Sequence, residues 1–347
     1  MNELRRPIVG ITMGDPLGIG PEIILKSFLE GEVLKTCKIL VIGDRSVMEN
    51  TAGDLNFPVK VRGISNPSEA VFDSGMLDVL DLTNIDFGRF ALGRVEASAG
   101  KAAVEYLKKA GNLAMEGKID AIASAPVNKE AMRLAGFNYP GQTEILAELT
   151  KTKEFCMLLV SGSIRIIPVT THLSLRKALD LITRERVLKF IKFAEQGLSD
   201  LGLMNGKIGV SGVNPHAGEG GAFGEEETNE IIPAIEEAKK RGINVEGPIA
   251  ADVIVLRMRE KSFDIVLVMY HDHGNILVKA LGIDASVTIL IGLPIIRTSV
   301  VHGTAFDIAG KGVANIQSFT EAIKMAAHMA RVRKFQVRNY SMSISKL

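Results

Sequence analysis

The chain has no tryptophan, four tyrosines and two cysteines among its 347 residues. Cys37 and Cys156 stand far apart and belong to no CxxC pair. Neither a disulfide scaffold nor a cysteine-ligated metal site is therefore written into the sequence, and a reducing compartment is its natural setting. An excess of one charge is also missing: 41 Lys and Arg offset 40 Asp and Glu, for a net charge of +1. Nucleic acid and anionic membrane both demand a concentrated basic face, so neither is expected as a partner. No run approaches about 18 consecutive apolar residues, and the first residues carry no signal-type apolar stretch. The expectation is a soluble, cytoplasmic protein.

What is present is a 46% apolar fraction spread over a length too great for one ordinary core. Two domains, or one large α/β unit, are the size expectation. Short β-branched runs alternate with stretches of helical period. Ile8 to Thr12, Ile39 to Ile42 and Ile119 to Ala123 read as strands. A helix starts near Pro21, a favoured first-turn residue. Ala103, Tyr106, Leu107, Ala110 and Ala114 share one face of a helix over Ala99 to Met115. Val187, Leu188, Ile191, Ala194 and Leu198 mark another, and Ile231 to Arg241 and Phe319 to Val332 two more. The pattern predicts an α/β fold, with a largely parallel sheet and helices on both faces. With no repeat or linker to mark a boundary, residues 1–140 with 292–347 are assigned to one domain and 141–291 to the other.

Three strand-like runs each end, within a few residues, in a histidine. Ile164 to Thr170 leads to His172, Lys207 to Val213 leads to His216, and Phe263 to Met269 leads to His271. Ligands of parallel α/β sheets sit outside the carboxyl ends of the strands. Any one of these residues alone reads as a hydrogen-bonded strand-end histidine. Three of the chain's six histidines in equivalent positions form a candidate metal site. Neutral imidazoles suit Zn, Co or a similar divalent ion with positions left open for substrate oxygens.

Other segments carry weaker signals. GDPLGIGPE (14–22) joins a strand to a helix, but it is not the GxGxxG dinucleotide fingerprint. NPHAGEGGAFG (214–224) places four glycines within seven residues after a strand, which suggests backbone close to a ligand. The acidic run Glu225, Glu226 and Glu227 after it reads as compensation of a helix dipole. HGTAFDIAGKG (302–312) is a polar, glycine-punctuated loop. Lys279 and Arg297 lie near the third histidine and this loop in sequence. Arg297 follows the apolar run Ile289 to Ile296, where a charge needs a partner or an anion.

Read in order, GDPLGIGPEI, SAPVNKEAM, YPGQTE, THLSLR, NPHAGEGG, MYHDHG, GLPIIRTS and HGTAFDIAGKG resemble the 4-hydroxythreonine-4-phosphate dehydrogenase family over nearly the whole chain. The family includes a D-threonate/D-erythronate 4-phosphate branch. HGTAFDIAGKGVAN also looks like the adenosine-binding loop of isopropylmalate and isocitrate dehydrogenases. The resemblance implies their fold, with two α/β/α domains, a non-Rossmann NAD site, and a homodimer whose active sites lie at the subunit interface. It implies His172, His216 and His271 as ligands of a divalent metal (Zn, Co, Mn or Mg), one of them from the partner subunit. Thr143, Lys279 and Arg297 match substrate-binding positions, with Gln142 and Thr288 in the same shell. Lys279 and Asp272 take the catalytic positions, and His302, Gly303, Asp307 and Lys311 the cofactor-binding ones. The implied chemistry is NAD-dependent oxidation of a secondary alcohol, with decarboxylation, on a small acid phosphate, as in pyridoxine biosynthesis.

The chain departs from the family pattern at four positions. Gln142 replaces an imidazole and Thr288 an Asn, while His273 stands for Gln and Val301 for Asp. The metal triad is intact while the anion-recognition shell is altered. The context of Tyr139 and the run at Phe306 look closer to the D-threonate/D-erythronate branch. Two rival readings remain: a cis-dihydrodiol carboxylate dehydrogenase of the same family, and a three-histidine hydrolase or lyase without NAD. A hydrolase would have no use for an adenosine-type loop.

Overall fold

The computed structural model describes residues 6–86, 88, 91–280 and 285–344. In chain order the elements begin with β1 (Ile8–Thr12), α1 (Gly20–Leu29), α2 (Glu32–Thr36), β2 (Lys38–Gly43), α3 (Arg45–Asp54), β3 (Lys60–Ile64) and β4 (Met76–Asp81). There follow α4 (Ala97–Met115), β5 (Ala121–Ser124), α5 (Lys129–Leu134), α6 (Gln142–Leu149), β6 (Cys156–Ser161), β7 (Ile164–Thr170), α7 (Leu175–Asp180) and α8 (Arg184–Asp200). The remainder comprises β8 (Ile208–Ser211), α9 (Ile232–Lys240), β9 (Val245–Ile249), α10 (Ala251–Arg259), β10 (Ile265–Tyr270), α11 (His271–Ala280), β11 (Val287–Ile291), β12 (Arg297–Val300) and α12 (Gln317–Ile344). None of the described helices is long and apolar enough to cross a membrane.

Two compact units result: Met1–Lys153 with Leu293–Leu347, and Glu154–Gly292. In the first, strands run in the order β3-β4-β2-β1-β5-β12, every pair parallel. Its central strands are buried along their length, as expected of a parallel sheet covered on both faces. The apolar stripe of α4, including Ala103, Tyr106, Leu107 and Ala110, is buried against β1, β2 and β5. α12 lies on β12, β5 and β1.

In the second unit the order is β11-β6-β7-β10-β8-β9. β7, β10, β8 and β9 are mutually parallel, whereas β6 is antiparallel to both β7 and β11. Ile166, Val266 and Val268 of the sheet pack with Ile254 and Met258 of α10 and with Phe263 in one apolar cluster. The hairpin β6–β7 departs from the expected parallel order. It turns through Gly162 and Ser163, with Gly162 at φ 58°, the left-handed backbone that a two-residue hairpin turn requires.

The first crossing between units falls after Lys153, beyond the boundary expected at residue 140. The reason is α6, which packs on α4. A Cβ on Gly111 would stand 2.3 Å from Leu149 Cδ2, so glycine permits this approach. Gln142 and Thr143 consequently belong to the first unit and not to the unit that carries the three histidines.

Candidate active site

Strands β7, β10 and β8 are adjacent and parallel, so their carboxyl ends share one edge. His172, His271 and His216 follow those three ends in turn. His172 and His271 face each other with ring centroids 5.7 Å apart and planes inclined by 44°. They line a cleft of about 260 Å³ with Thr170, Thr171, Tyr270 and Asp272. Nδ1 of His271 lies 2.7 Å from Oδ1 of Asp272. That carboxylate therefore bears on the imidazole and fixes its tautomer, the common second partner of a ligating histidine. His172 has φ 54°, an uncommon backbone state for a residue with a side chain, and one found at functional sites.

His216 is exposed and also left-handed, with its ring centroid 6.1 Å from that of Phe223. Among the described residues of one chain, no group of three or more His, Cys, Asp or Glu is arranged to hold a metal ion. One chain thus presents an imidazole pair and, on the neighbouring strand's loop, a separate third imidazole. The pair fits a divalent ion in donor chemistry, offering borderline imidazole nitrogen, with Asp272 behind the His271 ring.

His273 stacks on Tyr270 at 3.8 Å, and burial holds its pKa below the ordinary histidine range against the opposing pull of Asp272. Lys279 is exposed on α11, eight residues after His271 and so roughly 12 Å along the axis. Thr288 is buried within β11.

In the first unit, Arg297 at the start of β12 is only 4% exposed. Its Nε donates to Ser124 Oγ on β5 at 3.1 Å. Burial lowers its pKa to about 10, and nearby Glu144 works in the opposite direction. The expectation that this charge needs a partner is met in part by these neighbours. Gln142 is buried at the first turn of α6, and its Nε2 donates to the Ala125 carbonyl at 3.1 Å. A backbone carbonyl only accepts, so the amide orientation is fixed by chemistry. Thr143 follows, half-buried.

The two glycine loops of this unit are joined. Ile19 N donates to Thr304 O, and a Cβ on Gly18 would lie 3.0 Å from Thr304. Glu22, 1% exposed, accepts from Gly312 N at 3.2 Å and from Ala314 N at 2.8 Å. Lys26 donates to the carbonyls of Gly312 and Ala314. Gly303, Asp307 and Lys311 are exposed on the held loop, and Val301 is half-buried before it. His302 presents Nδ1 to Gly303 O, while its buried Nε2 has no hydrogen-bond partner among the described residues. A preformed loop with an unfilled ring nitrogen fits the polar edge of a nucleotide.

Sequence reasoning missed three carboxylates. Glu22 is one. Asp15 is another, fully buried with its pKa raised to about 6 by burial. The third is Glu227, read as helix-dipole compensation. It is instead 2% exposed and bonded to the loop that carries His216. Its usable signal was position: the third acid of the run, one helical turn before the apolar pair Ile231 and Ile232.

The comparisons with known proteins agree with one another. The model of the pyridoxal phosphate biosynthetic protein PdxA family matches residues 35–326. A protein of Oceanobacillus iheyensis, provisionally named D-threonate 4-phosphate dehydrogenase, is 49% identical over 328 residues, covering 94% of this chain and 98% of its own length. The structure of a 4-hydroxythreonine-4-phosphate dehydrogenase from Klebsiella pneumoniae is 41% identical, with a TM-score of 0.86 over 93% of this chain and 99% of that one. A terephthalate 1,2-cis-dihydrodiol dehydrogenase from Burkholderia xenovorans is 30% identical, with a TM-score of 0.67 over 93% and 98%. The chain belongs to the pyridoxal phosphate biosynthetic protein PdxA family.

Proposed function

We propose that the chain is a dehydrogenase that oxidises a secondary alcohol of a phosphorylated four-carbon hydroxy acid, with NAD as hydride acceptor and loss of CO₂ from the β-keto acid formed. D-threonate or D-erythronate 4-phosphate and 4-phosphohydroxy-L-threonine are the substrate candidates. The observation that carries the reading is the imidazole pair His172 and His271 at one cleft, with Asp272 on the Nδ1 side of His271.

When bound there, a divalent ion supplies Lewis acidity that acidifies an alcohol and polarises a carbonyl. His172 and His271 hold it from one subunit and His216 from the partner copy of the same chain, in a homodimer. Arg297, Gln142, Thr143 and Thr288 are the residues assigned to the acid phosphate. Arg297 suits that task because a buried guanidinium gains charge-assisted bonds from an anion. Lys279 serves the reacting groups, and Asp272 holds the tautomer of His271. His302, Gly303, Asp307 and Lys311 receive the adenosine half of NAD, where the Asp307 carboxylate disfavours the extra phosphate of NADP. The two buried thiols, with no disulfide between them, suit a reducing cytoplasm.

A second reading, oxidation of a cis-dihydrodiol carboxylate, is favoured by one observation. Gln142 cannot carry the charge of the imidazole it replaces. NADH formation measured over a panel of acid phosphates and dihydrodiol carboxylates separates the two. Faster turnover of a dihydrodiol than of every acid phosphate sinks the phosphate reading.

A further inference from the structure

After β8 the chain enters a turn unlike any other in the described protein. His216, Ala217, Gly218, Glu219 and Gly220 all have positive φ, at 54°, 55°, 79°, 42° and 68°. Three of these five carry side chains, for which left-handed backbone is unfavourable. Such a run persists only when its surroundings over-determine it.

Glu227 supplies the constraint. It opens a π-helical turn (Glu227–Ile231) before α9 and is 2% exposed. Its Oε1 accepts from Val213 N at 2.7 Å and from Asn214 N at 2.8 Å, and its Oε2 accepts from Asn214 Nδ2 at 2.8 Å. The same Nδ2 donates to Glu226 Oε2 at 2.6 Å. The loop wraps around the carboxylate: a Cβ on Gly218 would lie 2.6 Å from Glu227 Oε2, and one on Gly212 3.0 Å from Oε1. Gly218, which the sequence associates with a ligand, is thus required by Glu227, and Gly212 with it. π-turns recur at functional sites, where one extra residue redirects a side chain.

We infer that Glu227 is the positioning residue that presents His216 for metal binding. The inference rests on His216 being a metal ligand. A carboxylate is needed here rather than an amide. Three N–H donors converge on its two oxygens, and a Gln would turn its own NH₂ toward one of them. Asn214 cannot compensate by rotating its amide, because its oxygen would then face the Glu226 carboxylate.

The test uses the full-length dimer, stripped of metal and titrated with Co²⁺ alone. Glu227→Gln is expected to weaken Co²⁺ binding by about 10–100-fold, the usual effect of removing an outer-shell partner, and to alter the Co²⁺ absorption bands. Glu226→Gln, which keeps an oxygen to accept from Asn214 Nδ2 in this part-buried contact, is expected to change binding by less than about 3-fold. A merely structural Glu227 would lower the thermal midpoint without moving the affinity of the folded fraction, and that outcome overturns the inference. Hydrogen exchange on the metal-free wild type covers a variant that does not fold. The amides of Val213 and Asn214 should be protected, and fast exchange at both overturns the inference too. His216→Ala separates the two levels. If it binds Co²⁺ like wild type, the ligand assignment itself fails; if it does not bind while Glu227→Gln binds normally, only the positioning role fails.

Discussion

Nδ1 of His271 lies 2.7 Å from Oδ1 of Asp272, its neighbour in sequence, and this contact decides which ring nitrogen is left for a ligand. With Nδ1–H turned to the carboxylate, Nε2 keeps the lone pair. His271→Ala is expected to abolish binding of Co²⁺ to the metal-free protein. Asp272→Ala should weaken it about 10-fold, as outer-shell losses do. Titration calorimetry measures both, and an unchanged affinity in Asp272→Ala removes that residue from the site.

Subunit sharing has its own signature. If His216 reaches the ion of the partner subunit, a His172→Ala chain and a His216→Ala chain are each inactive alone. A mixed dimer contains one intact site and one doubly defective site. Random reassociation of equal amounts then restores about a quarter of wild-type activity, since half the dimers are mixed and each has one working site. No recovery after verified exchange of subunits would put His172 and His216 in a site of one and the same subunit and end the sharing model.

The sequence exposed the parts of this molecule that follow from short-range periodicity. β7, β8 and β10 were legible as apolar runs, and their histidines as residues at one sheet edge, because parallel strands deliver their carboxyl ends together. The boundary expected at residue 140 lies short of Lys153 because the apolar face of α6 does not declare which helix it meets; the partner is α4, through Gly111. The antiparallel β6 was missed although Gly162 and Ser163 make a two-residue turn between apolar runs. Glu227 was misread for a deeper reason. An acid near a helix start has the same appearance whether it faces solvent or folds back onto a preceding loop.

Glu22 ties the loop ending at Gly312 to α1 through two backbone N–H bonds. Removing a buried acceptor leaves those donors unpaired, at about 1–3 kcal/mol each. Glu22→Ala is expected to lower the thermal midpoint and to raise KM for NAD by more than it raises KM for the acid phosphate, because the held loop carries the cofactor positions. Equal rises in both constants would detach the loop from cofactor binding.

Gln142 stands where an imidazole is expected, and its Nε2 is already engaged by Ala125 O. It contributes no charge to an anion, and only the second N–H of that amide is left to donate. Restoring the ring should add a charge-assisted bond, of roughly 1.5–3 kcal/mol. Gln142→His is therefore expected to raise kcat/KM for 4-phosphohydroxy-L-threonine by about 10-fold or more. A fall for every acid phosphate would mean that the amide itself is the recognition element.

Asp15 gives a prediction in pH. It is fully buried, its Oδ1 accepts from Leu17 N at 3.0 Å, and its Oδ2 has no partner among the described residues. Burial raises its pKa from 3.8 to about 6, only partly offset by the Leu17 amide. The folded protein therefore holds this proton more tightly than the unfolded chain. The contribution of Asp15 to stability is fully present below pH 3.8 and is lost as pH rises through about 6. At 1.36 kcal/mol per pKa unit, the loss amounts to about 3 kcal/mol at most. Asp15→Asn keeps the acceptor for Leu17 and carries no titratable proton. Its own buried NH₂ adds a cost that does not vary with pH, so the slope is the observable. The thermal midpoint of Asp15→Asn relative to wild type should rise between about pH 3.5 and about pH 6.5, with most of the change falling between pH 3.8 and about 6. Parallel midpoint curves for the two proteins over that range would show that Asp15 does not titrate in the fold.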